Sequence, residues 1–280
     1  MFADAALAAR IDRAEARMCA HIADSIRASR SGSTSFVLPI GGGQAVYVAP
    51  ASPVNKVIGL GFDGDLDVAA LERIEHEWGH RGEPVRIEMS VLTDPSLGSA
   101  LTDRGYKLHG FENVLGLSLE RAPDGPIDRA VSIDVAADAD LPIWIDIAVD
   151  AFTTLDGTGS LPPDSFTREM LRDAFRQMLG VPGFVRYLAR MDAEPVGEAA
   201  MRIDGDLAQL AGAGTRPHAR GRGVQKALLQ RRLSDAHAAG CTLAVVTTAP
   251  GTRSQDNVMR RGFALLYTRA ILVKGSLSAD

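Results

Sequence analysis

The hydrophobic pattern opens with a helical repeat. Over residues 3–28, Ala, Arg and Glu dominate, and apolar side chains recur at helical spacing: Leu7, Ile11, Ala14, Met18, Ile22 and Ile26. Spacing of three and four residues places these side chains on one face of a helix. The sequence therefore predicts a helix that packs this face on a sheet.

Strand and helix patterns alternate through the rest of the first half. β-branched and aromatic residues flank three glycines at 41–43 and predict a hairpin over 36–48. Further strands are predicted at 56–62, 85–92 and 106–119, and helices at 66–80 and 95–103. Between Glu120 and Ser132 the chain has Pro123, Gly125 and Pro126 but no hydrophobic period, which is typical of a linker.

The second half repeats this order of elements. Strands are predicted at 184–190, 195–203, 207–215, 242–248 and 264–273, and helices at 141–152, 163–179, 224–239 and 254–261. The steps Arg104-Gly105-Tyr106 and Arg261-Gly262-Phe263 precede the last strand of each half. The repeat indicates a diverged internal duplication of a mixed α/β domain. We therefore expect domains at residues 1–120 and 132–280, joined by a linker at 121–131.

Composition and charge narrow the classes of function. The chain has 280 residues, 46% of them apolar, and a net charge of −5, which argues against a general nucleic-acid binder. No apolar run approaches the ~20 residues of a membrane span. Asp4 and the charges after it do not fit a signal peptide, so we expect a cytoplasmic protein. Cys19 and Cys241 lack metal-ligand spacing, and no metal site is expected.

A glycine-rich basic turn before the helix at 224–239 is the strongest chemical signal. It carries Arg220, Gly221, Arg222 and Gly223. The unpaired N–H groups and the positive end of a helix N-terminus favour phosphate. Glycines let the backbone approach closely, and arginines add charge-assisted hydrogen bonds. The turn therefore suits a diphosphate, and it lacks the Gly-Lys-Ser/Thr ending of a nucleoside-triphosphate loop.

These residues resemble the signature of the GNAT superfamily of acyl-CoA-dependent N-acetyltransferases. The signature reads Arg220-x-x-Gly223-x-Gln225, and the resemblance extends to Val196-Gly197, Thr215-x-Pro217 and Gly262-Phe263. It covers residues 130–274. It implies two GNAT-like α/β domains in tandem, each with a twisted mixed sheet flanked by helices. It also implies that acetyl-CoA is the co-substrate, and that an amine attacks its thioester directly.

The resemblance also implies which residues meet the cofactor. Strand residues would face the pantetheine arm, the basic turn would bind the pyrophosphate, and the next helix would offer two polar side chains. The residues are Ala213, Thr215, Arg220, Gly221, Arg222, Gly223, Val224, Gln225, Ser254 and Asn257. Two readings stay open at Ser254, which could instead cap its helix. Glu198 could accept the amine proton, although a Glu on a strand could also face solvent.

The sequence departs from the family pattern at three places. Gln225 replaces a small residue, and Val258 stands where the family often has a general-acid tyrosine. In the first half, Asp63-Gly64-Asp65 occupies the place of the basic loop. Because carboxylates repel a pyrophosphate, we expect residues 1–120 to form a degenerate domain that cannot hold CoA. This domain would instead shape the substrate cleft or an interface.

Alternatives remain. Val258 and the lack of a clear base also fit a non-catalytic acyl-CoA sensor or interaction module. The basic run from Arg216 to Arg232 could bind RNA, but it lacks interleaved aromatic residues. We interpret Arg231 and Arg232 as a solvated helix face. We expect a small-molecule or peptide amine as acceptor, no nucleic-acid or membrane partner, and an oligomeric state that allows a homodimer.

Overall fold

The computed structural model describes residues 3–29, 31–121, 130–153 and 167–275. The chain divides into two compact units. The first unit comprises Phe2–Val114, Thr248–Pro250 and Leu265–Asp280, and the second comprises Leu115–Thr247 and Gly251–Ala264. Each unit is a mixed sheet with helices against it, so the fold class predicted from the sequence is confirmed.

The first unit contains three helices and the strands of one sheet. The helices are α1 (Ala5–Ser29), α2 (Val68–Gly79) and α3 (Pro95–Asp103). The strands are β1 (Phe36–Ile40), β2 (Gly43–Tyr47), β3 (Lys56–Ile58), β4 (Val85–Ser90), most of β5 (Lys107–Ser118) and most of β11 (Ala264–Lys274). Their order is β1-β2-β3-β4-β11-β5. β3 and β4 pair in parallel, because α2 carries the chain back between them, whereas β1-β2, β2-β3 and β4-β11 are antiparallel.

The second unit has the same kind of sheet. Its helices are α4 (Leu141–Thr153), α5 (Arg168–Met178), α6 (Val224–Ala238) and α7 (Arg253–Met259). Its strands are the end of β5, then β6 (Ser132–Val135), β7 (Phe184–Met191), β8 (Glu194–Asp204), β9 (Leu207–Thr215) and β10 (Leu243–Thr248). The order is β5-β10-β9-β8-β7-β6. β6 to β9 form an antiparallel meander, and β10 returns parallel to β9 after α6.

The boundaries of the two units differ from the predicted domain boundaries at two strands. Leu115–Ser118 of β5 belongs to the second unit, although it precedes the predicted linker. Leu265–Lys274 of β11 belongs to the first unit, although it is nearly the last part of the chain. The first unit is therefore completed by a strand from near the end of the sequence, and the second unit begins earlier than predicted.

The second unit has a core on each face of its sheet. On one face α6 packs Val224, Leu228 and Leu233 against β8 and β9. On the other face α4 packs Trp144, Ile147 and other apolar residues. The indole N–H of Trp144 donates to Tyr187 O at 3.1 Å, which fixes α4 on β7. A strand covered on both faces is buried along most of its length, as β8 is from Val196 to Arg202.

A buried ionic network stabilises the first unit. Arg269 on β11 is fully buried and donates to Asp12 Oδ1 (2.6 Å), Glu15 Oε2 (2.7 Å) and Glu112 Oε2 (3.0 Å). Lys56 on β3 donates to Glu15 and also to Glu88. Burial alone would raise the pKa of Glu15, but the charges of Arg269 and Lys56 outweigh it and lower this pKa to about 2. The network connects α1 to strands from both ends of the sequence.

Most predicted elements are confirmed, and the differences have physical causes. The predicted strand at 56–62 ends at Ile58, because Gly59 and Gly61 take positive φ values of 76° and 92°. β6 is not predicted, because its polar–apolar alternation spans only four residues and adjoins the predicted linker. The predicted helix at 163–179 is α5, beginning at Arg168, and residues 163–166 lie outside the described residues.

Both cysteines are free and buried. No helix in the described part of the chain has the length and apolar character needed to cross a membrane. Within the same residues, no group of three or more His, Cys, Asp or Glu side chains is placed to hold a metal ion.

Candidate functional site

The central feature of the candidate site is a gap between two parallel strands. β9 and β10 pair at only three positions, Leu243↔Leu207, Ala244↔Ala208 and Val245↔Gln209. Among the described residues they pair no further, although β9 continues to Thr215 and β10 to Thr248. On its other edge β9 stays paired with β8 as far as Gly197↔Thr215. The backbone of residues 210–215 is therefore not engaged by β10.

A β-bulge bends β9 where it leaves β10. Ala199 pairs with Ala213 and Ala200 pairs with Ala211, so Gly212 is the extra residue. Its φ of +54° lies in the left-handed region, which explains why glycine occupies this position. A bulge increases local twist and turns the following residues. The predicted pantetheine-facing residues Ala213 and Thr215 therefore lie just beyond a bend in the strand.

The basic turn leads from β9 into α6. Gly221 and Gly223 have φ values of +77° and +84°, and Gly223 is the N-cap of α6. No side chain caps this end of the helix in the described structure. The first N–H groups of α6 consequently face outward at the positive end of the helix dipole. This is the geometry expected for an anion site at a helix N-terminus.

The side chains of the turn have different tasks. Arg220 donates through Nε to Thr215 O at 3.3 Å, which ties the turn to the end of β9. Arg222 is exposed. Gln225 donates through Nε2 to Thr215 Oγ1 at 3.0 Å. The amide that replaces the family's small residue is therefore used to join α6 to β9, while Val224 is buried in the core below.

Glycines also allow close packing beneath the turn. A Cβ atom at Gly197 would stand 2.5 Å from Cγ1 of Val224, so a side chain here would displace α6. A Cβ atom at Gly214 would stand 2.8 Å from Oε1 of Glu198 and 2.6 Å from Cβ of Ala151. Gly214 thus makes room for a carboxylate beside β9.

Glu198 is fully buried, so the alternative in which it faces solvent is wrong. It lies opposite Gly214 in the β8–β9 ladder, next to the predicted pantetheine strand. Neither carboxylate oxygen accepts a hydrogen bond of normal geometry from the described residues. Burial raises the pKa of Glu198 to about 8, and the charge of Arg232 and the Gly214 backbone only partly offset this effect. A buried carboxyl group that titrates near neutral pH is suited to accept a proton.

Arg232 was interpreted from the sequence as part of a solvated face, and this interpretation is wrong. Its side chain is buried beneath α6, with 4% exposure. It donates to Leu228 O, Ala200 O and Gly212 O at 3.1–3.3 Å. Helical spacing holds a signal for this position, because Arg232 follows the buried Val224 and Leu228 at intervals of four residues.

The residues predicted on α7 are less closely tied to the turn. Thr252 caps α7 by accepting a hydrogen bond from Gln255 N, so Ser254 is not the cap. Ser254 and Asn257 are both exposed, and their contact with CoA stays a prediction. Val258, which replaces the family's frequent tyrosine, is buried in the core of the second unit. Val258 thus provides neither a hydroxyl group nor an exposed side chain.

The matching crossover in the first unit has different chemistry. The segment between β3 and α2 carries Asp63, Gly64 and Asp65. Asp67 caps α2 and accepts a hydrogen bond from Ala70 N at 2.9 Å. Asp63 forms an ion pair with Arg13. The N-terminus of α2 is thus already occupied by a carboxylate, in contrast to the uncapped N-terminus of α6.

Comparison with known proteins shows what this chain resembles. Residues 144–263 match the model of the acetyltransferase (GNAT) family. A comparison with curated protein sequences finds no match. Among solved structures, a GCN5-related N-acetyltransferase from Kribbella flavida is 20% identical, has a TM-score of 0.63, and is covered over 98% of each chain.

Two further structures share the fold at lower identity. A tandem GNAT protein from the clavulanic acid biosynthesis pathway, without AcCoA, is 13% identical with a TM-score of 0.59, over 90% of this chain and 82% of that one. A GCN5-related N-acetyltransferase from Sphaerobacter thermophilus is 16% identical with a TM-score of 0.54, over 74% of this chain and 66% of that one. The chain therefore carries an acetyltransferase domain of the GNAT family at residues 144–263, a family whose general activity is acyl-CoA-dependent acetyl transfer.

Proposed function

We propose that this protein transfers an acetyl group from acetyl-CoA to a primary amine on a small molecule or peptide. The observation that carries the proposal is the parting of β9 from β10 directly before the uncapped N-terminus of α6. The gap offers unengaged backbone groups to the extended pantetheine arm of acetyl-CoA. The N-terminus of α6 offers N–H groups to the pyrophosphate of the same ligand. The small side chains Ala211, Gly212 and Ala213 leave room along the strand.

The residues present fit the pyrophosphate and the thioester of acetyl-CoA. Gly221 and Gly223 present backbone N–H groups, and Arg220 and Arg222 supply local positive charge within a chain of net charge −5. Acetyl-CoA, when bound, supplies an electrophilic thioester carbonyl and a thiolate leaving group. Strand backbone N–H groups near the bulge would polarise that carbonyl. Holding both reactants in place provides much of the rate.

Glu198 is the residue that we assign to the proton. A primary amine must be neutral to attack the thioester, and it must lose a proton as the C–N bond forms and the C–S bond breaks. The buried carboxylate of Glu198 accepts this proton, directly or through one water molecule. A pKa of about 8 makes it a stronger base than an exposed Glu while leaving part of it deprotonated near neutral pH.

The first unit is proposed not to bind CoA. The carboxylate of Asp67 accepts a hydrogen bond at the N-terminus of α2, and Asp63 and Asp65 add negative charge. A pyrophosphate would have to displace this cap and meet like charges. We therefore expect one molecule of CoA for each chain.

The alternative is an acyl-CoA sensor without turnover, which the buried Val258 favours. A thiol-release assay with acetyl-CoA and a panel of amines separates the two functions, run beside calorimetry with CoA. Release that depends on an added amine and falls in Glu198→Gln supports the transferase. Tight binding without amine-dependent release supports the sensor, and a protein that binds neither CoA nor acetyl-CoA contradicts both.

A further inference from the structure

Arg232 is a buried cation whose position is not explained by packing alone. Taking a guanidinium group out of water costs several kcal/mol, unless hydrogen bonds and charges compensate. No carboxylate of the described residues lies within ion-pair distance, and burial lowers the pKa of Arg232 to about 10. A leucine or methionine would fill the same space against the core. The hydrogen bonds made by the guanidinium group therefore indicate what this residue does.

The hydrogen bonds from Nη1 go to the β-bulge, whereas Nε donates to Leu228 O within α6. Nη1 donates to Ala200 O at 3.1 Å and to Gly212 O at 3.2 Å. Gly212 is the extra residue of β9, and Ala200 stands on β8 where the register shifts. A bulge leaves carbonyl groups outside the regular ladder, and a buried carbonyl without a partner is destabilising. Arg232 satisfies both carbonyls at once and so favours the bulged strand over a straight one.

We infer that Arg232 is a positioning residue, which holds the bulge at Gly212 and thereby aims the backbone of Ala213–Thr215 and the carboxyl group of Glu198 at the reacting groups. The inference rests on the acetyl transfer proposed above. In this role Arg232 contacts neither substrate. It acts through the bend of β9 and through its positive charge, which favours the charged form of Glu198.

Most other charged groups around Glu198 have partners of their own. On α4, Asp146 pairs with Arg172, and Asp150 pairs with Arg168 and Arg216. The remaining ionisable groups on β7, β8 and α6 are Arg186 and Arg190, which pair with Asp138 and Asp140; Tyr187; Glu194, whose carboxylate lies 3.3 Å from His218 Nε2; Arg202, which pairs with Asp204; Arg231, which pairs with Asp235; and Lys226 and His237. Arg232 is therefore the charge that we expect to control Glu198.

The test compares Arg232→Met and Arg232→Lys in the full chain, with the acceptor amine identified by the thiol-release panel. We expect Arg232→Met to lower kcat by roughly 10- to 100-fold, the loss that follows a misplacement of about 1 Å. CoA affinity should change by less than about threefold, because the turn at 220–223 is intact. The rising limb of the pH profile should move to higher pH, since the charge that favours ionised Glu198 is gone. Arg232→Lys should restore the pH limb but not the full kcat, because an ammonium group lacks the planar fork of arginine.

A double-mutant cycle gives a readout that does not need an acceptor. Denaturation midpoints are measured for Arg232→Lys, Glu198→Gln, the double variant and the parent, below and above the pKa of Glu198. Arg232→Met replaces Arg232→Lys in a second cycle if it folds. In the cycle with Arg232→Met, a coupling energy between positions 232 and 198 that grows with pH supports the inference. In the cycle with Arg232→Lys the positive charge is retained, so the coupling energy should depend little on pH.

Two results would overturn the inference. One is an Arg232→Met protein with kcat and pH profile within about twofold of the parent, and the other is additivity of Met and Gln variants at every pH. If Arg232→Met does not fold, an Arg232→Lys protein with full kcat overturns the role in the bulge. If no amine supports release by the parent, the proposed function fails, while the cycle still decides whether Arg232 acts on Glu198.

Discussion

Gly223 offers the sharpest test of the pyrophosphate site. It is the N-cap of α6, has a φ of +84°, and leaves the first N–H groups of the helix uncapped. In Gly223→Val a β-branched side chain stands at the end of the helix, where capping side chains normally meet those N–H groups. It would block two or more hydrogen bonds to phosphate. Arg222→Ala removes one contact from an exposed side chain.

The magnitudes separate the two variants. Each hydrogen bond to a charged group contributes about 1.5–3 kcal/mol, so loss of two corresponds to roughly 10²- to 10⁴-fold in CoA affinity. Arg222→Ala should cost about tenfold, because its contact is solvated and screened by salt. Isothermal titration calorimetry with CoA measures both variants.

A matched control removes backbone strain from the comparison. Gly240 follows the other end of α6, has a φ of +82°, and has open space where a Cβ atom would stand. In Gly240→Val, as in Gly223→Val, a left-handed residue with a side chain costs at least about 1–2 kcal/mol of stability. Only Gly223→Val should lose CoA binding. If Gly223→Val binds CoA within a few fold of the parent while Arg222→Ala does not bind, the turn acts as a basic patch, and the helix-terminus site is wrong.

Three further predictions concern burial and strand exchange. The pKa of Glu198 is raised from 4.5 to about 8 in the folded protein. Protonation of Glu198 therefore stabilises the fold fully below about pH 4.5, and this stabilisation is lost as the pH rises through 8. Thermal denaturation should therefore show that the Tm of Glu198→Gln increases relative to that of the parent as the pH rises. A difference in Tm that does not depend on pH would contradict burial of the acid. Arg269→Met should destabilise by about 3–5 kcal/mol in urea denaturation, because Asp12 and Glu15 lose their buried partner. Lys274→Met removes a half-exposed ion pair and should cost under about 1 kcal/mol; equal losses would refute the distinction. Deletion of residues 265–280 should expose the first unit to limited proteolysis, and a resistant fragment of that unit would show that β11 is dispensable.

The sequence predicted the elements with strong periodicity well. α3 was predicted with its observed bounds, since Asp94 caps it and Pro95 begins it. The turn before α6 was found because its glycines and arginines are local in sequence. The alternation in β6 is too short to predict a strand, since it spans four residues. The places of β5 and β11 depend on pairing between distant residues, which periodicity does not report.

The candidate site shows the same limit. The sequence identifies Glu198 as a candidate base, but its burial also depends on α4, which lies more than forty residues before it in the sequence. Arg232 sits in a basic run, and the sequence therefore predicts a solvated charge at this position. Its position on the apolar face of α6 was available from spacing. What spacing does not reveal is the bulge at Gly212 that gives a buried arginine its partners.

The place of β11 in the first unit has a consequence for biosynthesis. A ribosome adds about 5–20 residues per second, so roughly ten to forty seconds separate the synthesis of β4 from that of β11. Throughout that interval the edge of β4 has no β11 beside it, and Asp12 and Glu15 have no Arg269. An unpaired strand edge is a template for pairing with another chain, whereas charged side chains beside it oppose that pairing until β11 arrives. The first unit, which begins the chain, is thus completed only after the residues of the second unit have been synthesised.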